Sequence, residues 1–475
     1  MSAFTFDLER ARRAASPRYA PPPTPLLSML IHGGVMLLWV LLFLRAFGTG
    51  GVFAWSVGLA YVGYDTALLL FVYVQTLPLL RRPQPGGTAN GSLGVIIAAR
   101  NEAAVLPATL AALFAQTVPP EAVVIADDGS DDGTAELLSR GYGLPRPAPG
   151  EISSAGPLHW LLLPHHGKAR ALNAALEHVS TDVVMTVDAD TLLEPEAVAA
   201  VRLAFTAEPA LVAATGVLFP VCARTPSGRL LQWFQTYEYM RNFLSRYAWA
   251  RQDGLLLISG AFAAYRRQAV VAVGGFDTDC LVEDYELTHR LLNYAVGHGL
   301  RWRTDVIGGA RARTEAPGTL SAFLRQRRRW FGGFLQTQLW YRHMIGDRRY
   351  GHLGTRMLPV KAFDTMQPIY GLTGIGLFAV YGLSGHSATA GPAALVIVGK
   401  IGLDLLFYLW SLMLYRRWVG ARVNVGWAVA AALIEPFSFQ VLRHAGAALG
   451  WISFLTGQRR WGSQKRAVVA APVRQ

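Results

Sequence analysis

Cysteine and charged residues are both scarce in this sequence. Cys222 and Cys280 are its two cysteines, and because they fall in a segment that we expect to be cytosolic, we predict two buried thiols and no structural disulfide. Only 16% of the residues are charged, whereas 52% are hydrophobic and the mean hydropathy is +0.28. This composition argues against an ordinary soluble protein and indicates bilayer-spanning segments around a soluble core.

Acidic residues are fewer than basic ones, with 31 Asp and Glu against 44 Lys and Arg and a formal net charge of +13. Most of the basic residues are arginine, which suits bidentate contacts with phosphates and lipid headgroups. Charge alone leaves three interpretations open for the arginine-rich stretch LSAFLRQRRRWFGGF at 320–334: nucleic acid, a membrane surface or a solvated helix face. Nucleic acid is the least favoured, because the basic run is embedded among apolar helix positions and no recognition motif accompanies it.

Two nucleotide-binding motifs are absent. The first predicted strand, LGVIIAA, is followed by Arg-Asn-Glu without a glycine, so the turn lacks the G-x-G-x-x-G pattern that lets backbone approach a pyrophosphate. The chain also has no Walker A pattern. These absences argue against a nicotinamide or flavin enzyme.

Apolar runs predict the membrane segments. After a basic, proline-rich N-terminus (1–25), which is too long and too rich in proline for a signal peptide, residues 26–83 hold two predicted spans, each long enough to cross about 30 Å of hydrocarbon. Three more are predicted within 357–456. The predicted spans are 26–47, 52–80, 357–383, 393–415 and 425–442, the last broken or interfacial at Glu435-Pro436.

Arginines flank these spans unevenly. They precede the first span and follow the second at Arg81 and Arg82, whereas the turn GTGG between the spans has none. The positive-inside rule therefore places the N-terminus, the segment after Arg82 and the basic tail (457–475) in the cytoplasm. We expect a multi-pass protein of the plasma membrane, in bacteria the inner membrane.

The segment 91–318 has the pattern of an α/β domain. The runs LGVIIAA, EAVVIA, LHWLLLP, DVVMTV and LVAATGV have strand length and alternate with helical stretches, which is typical of βαβ units and a mostly parallel sheet. Such sheets bind ligands at the carboxyl ends of their strands.

Acidic residues follow two of these strands. Asp127 and Asp128 in ADDGS could hold ribose hydroxyls or a base edge, or simply form a turn with a helix cap. Asp188 and Asp190 in the sequence Asp-Ala-Asp could grip a divalent cation whose other ligands are water and a diphosphate, although a polar loop is the plainer alternative. Lys168 begins a predicted helix, where it could face phosphate or a neighbouring carboxylate. His165 and His166 lack zinc spacing and are interpreted as loop residues.

Two later segments complete the candidate site. Glu283-Asp284 opens a predicted helix; one of these carboxylates could act as a general base, or both could merely suit a helix N-terminus. In the amphipathic helix predicted within 319–345, Gln326, Arg329 and Trp330 share a face. Arginine and tryptophan there could hold a diphosphate and stack on a sugar, or could serve only as a membrane anchor.

Taken in order, DDGS, GKARALN, DAD, ED and QRRRW resemble the membrane-integrated, processive branch of glycosyltransferase family 2, which contains cellulose, hyaluronan, chitin and poly-N-acetylglucosamine synthases. The resemblance covers 91–340 and the flanking membrane segments. It implies a GT-A fold, flanked by transmembrane helices, that uses a UDP-sugar with Mg²⁺ or Mn²⁺ and inverts the anomeric centre.

The resemblance also implies roles for individual residues. Asp284 matches the general base, Asp190 the metal ligand, and Glu283, Ser259 and Gly260 positions that support the acceptor. Gln326, Arg329 and Trp330 fall on the Q-x-x-R-W signature, with Arg329 at the diphosphate and Trp330 under the acceptor sugar. The nucleotide side comprises Ala98, Glu102, Asp127, Asp128, Lys168 and Asp188. The chain departs from the family at Val282, where threonine is frequent, and near Ala98, where proline or threonine is frequent.

The expected function is transfer of a sugar from UDP-GlcNAc or UDP-Glc to a growing polysaccharide. The alternatives are addition of one sugar to a membrane lipid and, from another class, a catalytically inactive membrane scaffold. Expected partners are the UDP-sugar, a polysaccharide or lipid acceptor and membrane lipids, but no nucleic acid. An export or accessory subunit stays open.

Overall fold

A computed structural model of the chain describes residues 3–81, 90–421 and 423–457. A nine-stranded sheet, in the order β3-β4-β2-β1-β5-β8-β7-β9-β6, forms the centre of the α/β segment predicted over 91–318. The strands are β1 (Leu93–Ala99), β2 (Ala122–Asp128), β3 (Ile152–Ala155), β4 (Leu158–Leu163), β5 (Val183–Val187), β6 (Thr191–Leu193), β7 (Leu211–Val221), β8 (Phe262–Arg266) and β9 (Arg303–Glu315).

The five predicted strands are β1, β2, β4, β5 and β7. Pairings β1–β2, β1–β5, β2–β4 and β7–β9 are parallel, while β3, β6 and β8 pair antiparallel with their neighbours. The central parallel strands β1, β2 and β5 are mostly apolar because both of their faces are covered, and Val95, Ile125 and Val184 are accordingly almost fully buried. The predicted α/β architecture is confirmed, as a mixed sheet with a parallel centre.

Fifteen helices surround the sheet or lie beside it in the described part of the chain. They are α1 (Ala3–Ala15), α2 (Leu26–Gly48), α3 (Ser56–Thr76), α4 (Leu106–Phe114), α5 (Thr134–Glu136), α6 (Lys168–Glu177), α7 (Ala197–Ala207), α8 (Pro226–Ala250), α9 (Arg267–Ala272), α10 (Glu283–Gly297), α11 (Leu320–Trp340), α12 (Leu358–Leu383), α13 (Ser387–Val419), α14 (Val425–Ile434) and α15 (Phe439–Leu455). Cys222 and Cys280 are buried free thiols, as predicted.

Within the described residues, three helical stretches are long and apolar enough to cross a membrane: Leu26–Gly48, Gly51–Leu80 and Ser387–Val419. A fourth is the bent pair Val425–Phe437 and Phe439–Leu455, with a 49° change of direction at Ser438. The predicted break at Glu435-Pro436 is therefore present. Helix α12 forms over the predicted range 357–383 but is not among these candidate spans, because polar residues such as Lys361 and Asp364 lower the hydropathy of its first half.

The helix that carries the arginine cluster packs against the last apolar helix. Helix α11 ends at Trp340, short of the predicted boundary at 345, and packs along α15. A Cβ atom on Gly450 would lie 3.0 Å from the Gly332 amide nitrogen, so the two backbones approach closely. Helix α11 thus lies between the α/β segment (91–318) and the last apolar helix, α15.

The N-terminal segment is structured where only a basic, proline-rich stretch was expected. Helix α1 packs on α6, α9 and α10, with Leu8 and Arg12 buried. The Arg12 guanidinium donates to the Phe276 carbonyl oxygen at 3.0 Å. Most of the predicted basic tail, 458–475, and the linker residues 82–89 lie outside the residues that the structure describes.

Candidate active site

The two carboxylates at the carboxyl end of β2, Asp127 and Asp128, are oriented by hydrogen bonds. Asp127 is fully buried and accepts from the Ser130 amide at 2.9 Å and from the Trp160 indole at 3.3 Å. Asp128 accepts from the amides of His166 and Gly167, at 2.8 and 3.0 Å. Asp127 therefore uses part of its hydrogen-bonding capacity within the fold, and Asp128 holds the loop that leads into α6.

His165 lies in the loop that leads into α6. His165 Nδ1 lies 2.8 Å from an Asp128 carboxylate oxygen and its Nε2 lies 2.7 Å from Arg100. Both ring nitrogens thus have protein partners. This agrees with the interpretation of His165 as a loop residue, and its partner Asp128 places it beside the predicted nucleotide side of the site.

Lys168 connects two predicted motifs. Its Nζ atom lies 2.5 Å from Asp188 Oδ1 and 3.7 Å from Glu283 Oε1. Burial acts to lower the pKa of Lys168, but the negative charges of Asp188 and Glu283 outweigh it and raise this pKa above its usual value. Lys168 is therefore a cation under all ordinary conditions, and it links the end of β5 to the start of α10.

Glu283 is a buried acid among several charges. Its pKa is raised because burial disfavours the charged form; Lys168 lowers it, Asp284 raises it and Arg329 lowers it. Arg329 Nη1 lies 3.5 Å from the Leu281 carbonyl oxygen, so the arginine of the Q-x-x-R-W stretch is close to the start of the segment that carries Glu283 and Asp284. The structure thus brings α6, α10 and α11 to one place at the carboxyl end of β5.

Asp190 lies two residues after Asp188 and immediately before β6. Its Oδ1 atom is within 3.4 Å of the Thr191 hydroxyl and 3.5 Å of the Thr314 hydroxyl. Among the described residues no group of three or more His, Cys, Asp or Glu side chains could form a metal site by themselves. The two carboxylates fit a hard cation of the Mg²⁺ or Mn²⁺ type, which takes most of its ligands from water and a substrate diphosphate.

Asp284 has a fixed carboxylate. Its Oδ2 atom accepts from the Gly260 amide at 2.6 Å and its Oδ1 atom from the Tyr285 amide at 2.8 Å. Gly260 belongs to the turn that precedes β8, in which the Ser259 carbonyl oxygen accepts from the Phe262 amide at 2.9 Å. The residues predicted to support the acceptor, Glu283, Ser259 and Gly260, therefore lie around the predicted base.

The Q-x-x-R-W residues lie in the middle of α11. Arg329 Nη1 is 3.5 Å from the Leu281 carbonyl oxygen, in the segment just before Glu283. Arg327 lies 4.7 Å from the centre of the Trp330 ring and forms an ion pair of 2.6 Å with buried Glu238 on α8. Gln326 is partly buried on the same helix. The cluster therefore combines structural ion pairs with residues near the acidic pair.

Two predicted nucleotide-side residues lie at the end of β1. Ala98 pairs with Ala126 of β2, and Glu102 is nearly fully buried just beyond, with its amide donating to the Thr134 hydroxyl at 3.3 Å. Their position beside Asp127 follows from the parallel pairing of β1 and β2. The contacts of Ala98 and Glu102 with a nucleotide stay a prediction.

Sequence reasoning missed the support for the segment before Glu283. The Asn173 side chain of α6 bonds both the amide and the carbonyl oxygen of Phe276, at 2.7 and 2.8 Å. Arg18 reaches both oxygens of fully buried Asp277, at 2.7 and 2.8 Å. The cluster of arginines before the first span was the available signal, although nothing in it indicates a partner about 260 residues away.

Comparisons with known proteins agree with this fold. Residues 90–333 match the family described as "Glycosyltransferase like family 2". A poly-beta-1,6-N-acetyl-D-glucosamine synthase of Staphylococcus aureus (strain COL) is 30% identical over 241 residues, which are 50% of this chain and 53% of that protein. The chain thus spans about half the length of this curated relative. A hyaluronan synthase of Streptococcus pyogenes serotype M6 is 28% identical over 333 residues, 66% of this chain and 72% of that one.

A solved structure is similar in fold. A mannosyltransferase from Pyrobaculum calidifontis, in complex with GDP-Man and Mn²⁺, matches with a TM-score of 0.53 and 20% identity, covering 81% of this chain and 99% of that one. This likeness supports the GT-A-type architecture implied by the motifs. Because the family match spans more than half of the residues, this chain belongs to glycosyltransferase family 2.

Proposed function

We propose that this chain is a membrane-bound, inverting glycosyltransferase that transfers a sugar from a UDP-sugar to a growing polysaccharide and couples transfer to export of the product. The observation that carries this proposal is the position of α11. Its Arg329 lies by the Glu283-Asp284 pair, while its other face packs closely on α15. An elongating chain that leaves the site would therefore meet the apolar helices directly.

Asp284 is the proposed base. The amides of Gly260 and Tyr285 hydrogen-bond its two oxygens and thereby fix the orientation of the carboxylate. The carboxylate takes the proton of an acceptor hydroxyl as that oxygen attacks the anomeric carbon. The bond from this carbon to the UDP oxygen breaks on the opposite face, so a single displacement inverts the anomeric centre.

The proposed transfer reaction also requires positive charge near the departing diphosphate. Lys168 is the cation next to Asp188, and Arg329 is the guanidinium near Glu283. Asp190, with Asp188, is the proposed holder of Mg²⁺ or Mn²⁺, which when bound supplies further positive charge to the diphosphate. Asp127 and Glu102 would hold the uridine side, at the ends of β2 and β1.

The names of the relatives support the class of donor. The staphylococcal relative is a poly-N-acetylglucosamine synthase and the streptococcal one a hyaluronan synthase, both makers of polymers by name. The mannosyltransferase was solved with a nucleotide-diphosphate sugar and Mn²⁺. We therefore propose UDP-GlcNAc or UDP-Glc as donor, and a location in the plasma membrane, the bacterial inner membrane, with the catalytic segment in the cytoplasm.

The test is UDP release by the purified full-length chain in detergent. A panel of UDP-sugars is supplied with Mg²⁺, with Mn²⁺ or with a chelator, and products are sized by gel electrophoresis. We expect metal-dependent release with one donor and a product of high mass. A product of lipid size would show that the enzyme makes a glycolipid and not a polymer. Metal-independent release of UDP would contradict the proposed metal site.

A further inference from the structure

We propose that a basic cleft at the C-terminal end of α13 binds the phosphate headgroup of an anionic phospholipid. The cleft has a volume of about 910 Å³. Six of the residues that line it define the basic cleft: Arg311, Leu409, Met413, Arg416, Arg417 and Trp418. None of them belongs to the candidate active site, so the inference goes beyond the proposed function.

The basic cleft lies where apolar helices end and the sheet begins. Arg416 and Arg417 lie in the last turn of the candidate span α13, and Arg417 Nη1 is 3.5 Å from the carbonyl oxygen of Leu80, the last residue of another candidate span. Arg311, from β9, supplies the opposite side. This is the level at which lipid headgroups meet a membrane protein.

Trp418 is held rigidly at this level. A Cβ atom on Gly308 would lie 2.2 Å from the Trp418 indole nitrogen, so the absence of a side chain at Gly308 lets the ring lie against the sheet. Tryptophan is a frequent side chain at the membrane–water boundary because its ring is apolar and its N–H group is polar. The ring therefore forms a fixed wall beside the arginines.

The arginines differ in how far the protein uses them. Arg311 forms an ion pair of 2.9 Å with Glu194 and donates to the Val419 carbonyl oxygen at 2.8 Å. Arg416 is exposed and has no ion pair or hydrogen bond from its side chain to any residue that the structure describes. Glu196 is the acidic residue of the lining, so positive charge predominates. Arg416 is thus available for a phosphate.

The apolar lining selects a lipid over a free anion. Met413 and Leu409 lie about one and two turns before Arg416 on α13, and both line the same cleft. A phosphate at Arg416 would place an attached acyl chain along these side chains, in the direction of the apolar part of α13. Inorganic phosphate or a nucleotide would leave this apolar wall uncovered, at a cost in hydrophobic free energy.

The experiment uses delipidated full-length protein in detergent and a fluorescent phosphatidylglycerol probe in mixed micelles. The variant is the pair Arg416→Gln and Arg417→Gln. The matched control is the pair Arg146→Gln and Arg301→Gln, two exposed arginines outside the cleft that remove the same charge. Since a basic residue near a membrane surface contributes about 1 kcal/mol, we expect the cleft pair to weaken binding about 10- to 30-fold and the control pair to leave it within about twofold.

Three results would overturn the proposal. One is an equal loss of binding in the control pair, which would indicate general charge attraction. Another is equal affinity for a phosphatidylcholine probe. The third is displacement of the probe by inorganic phosphate with the same dependence on Arg416, which would assign the cleft to a soluble anion. If the double variant does not fold, Arg416→Gln alone and the charge-conserving Arg416→Lys are compared, with loss expected only for glutamine.

Discussion

The amide of Gly260 donates a 2.6 Å hydrogen bond to Oδ2 of Asp284, and a Cβ atom at position 260 would lie 2.9 Å from that same oxygen. The turn before β8 therefore reaches the carboxylate of α10 only because position 260 has no side chain. This contact orients the group that we propose as the base. It also links two parts of the site that are far apart in sequence.

Replacing Asp284 by asparagine should abolish base catalysis while leaving the donor site in place. General-base catalysis contributes about 10²- to 10⁴-fold, so we expect turnover to fall by at least about 100-fold and the dissociation constant of the UDP-sugar to stay within about threefold. Turnover is measured by UDP release and binding by calorimetry. Gly260→Ala should give a smaller loss of turnover in the same direction.

The matched control is Asp253→Asn, another change of carboxylate to amide. Asp253 is exposed, has φ of 50°, and pairs with Arg303 away from the site. Asparagine tolerates this backbone conformation. Turnover of the Asp284→Asn variant equal to that of this control would remove Asp284 from the role of base.

Asp190→Asn should raise the concentration of Mn²⁺ or Mg²⁺ needed for half-maximal activity by roughly tenfold or more, because one carboxylate charge is lost from a site with few protein ligands. The measurement is a metal titration of UDP release, together with Mn²⁺ binding followed by electron paramagnetic resonance. The resonance signal is a readout independent of turnover. An unchanged Mn²⁺ affinity by resonance would contradict the assignment of Asp190 as a metal ligand.

The fold should lose stability in acid through His289. This side chain is buried in α10, and burial lowers its pKa from 6.5 to about 4, while its Nδ1 donates to the Tyr285 carbonyl oxygen at 2.9 Å. Because the unfolded chain binds a proton below 6.5 and the folded chain does not until about 4, stability falls as pH drops through this window, by about 3 kcal/mol at most.

The check is the melting temperature in detergent between pH 7 and pH 4, which spans the window from the unfolded pKa of 6.5 to the folded His289 pKa of about 4. His289→Gln should flatten the dependence on pH. His298→Gln is the matched control, since exposed His298 makes the same 2.9 Å contact with the carbonyl oxygen four residues earlier. Parallel pH profiles for the wild type and His289→Gln would show that other groups cause the acid sensitivity.

Arg18→Ala should loosen the segment before Glu283. Asp277 is fully buried and Arg18 holds both of its oxygens, so removing the guanidinium leaves a buried carboxylate without its ion pair, at a cost of about 3 kcal/mol. We expect a lower melting temperature and a lower kcat with little change in the KM of the donor. Arg10→Ala, which breaks only the exposed pair with Asp7, should change neither quantity.

Two outcomes separate positioning from plain destabilisation. If kcat falls in proportion to the folded fraction, Arg18 stabilises the fold without positioning Glu283. If kcat falls at a temperature where the variant is fully folded and Arg18→Lys restores part of it, Arg18 positions the segment. A wild-type kcat and melting temperature in Arg18→Ala would contradict the importance of this contact.

The locally encoded features were the predictable ones. The runs that became β1, β2, β4 and β5 are mostly apolar, since both faces of the sheet are covered there, and the apolar helices α2 and α13 are long enough for a bilayer crossing. The acidic motifs at the strand ends could be predicted as well, because each of them directly follows an apolar run. Parallel pairing brings the carboxyl ends of β1, β2 and β5 to one edge, so Asp127 and Asp188 had to be near one another.

Local patterns in the sequence were thus enough to predict the α/β segment, its apolar flanks and the carboxylates at the strand ends, because period, length and turn position are properties of neighbouring residues. Three contacts depend on the complete fold: Lys168 with Asp188 and Glu283, the Gly260 amide with Asp284, and Arg18 with Asp277. These partners are 20 to 259 residues apart. No local pattern specifies which distant carboxylate an amide or a cation will meet, since that depends on how the whole chain crosses over the sheet.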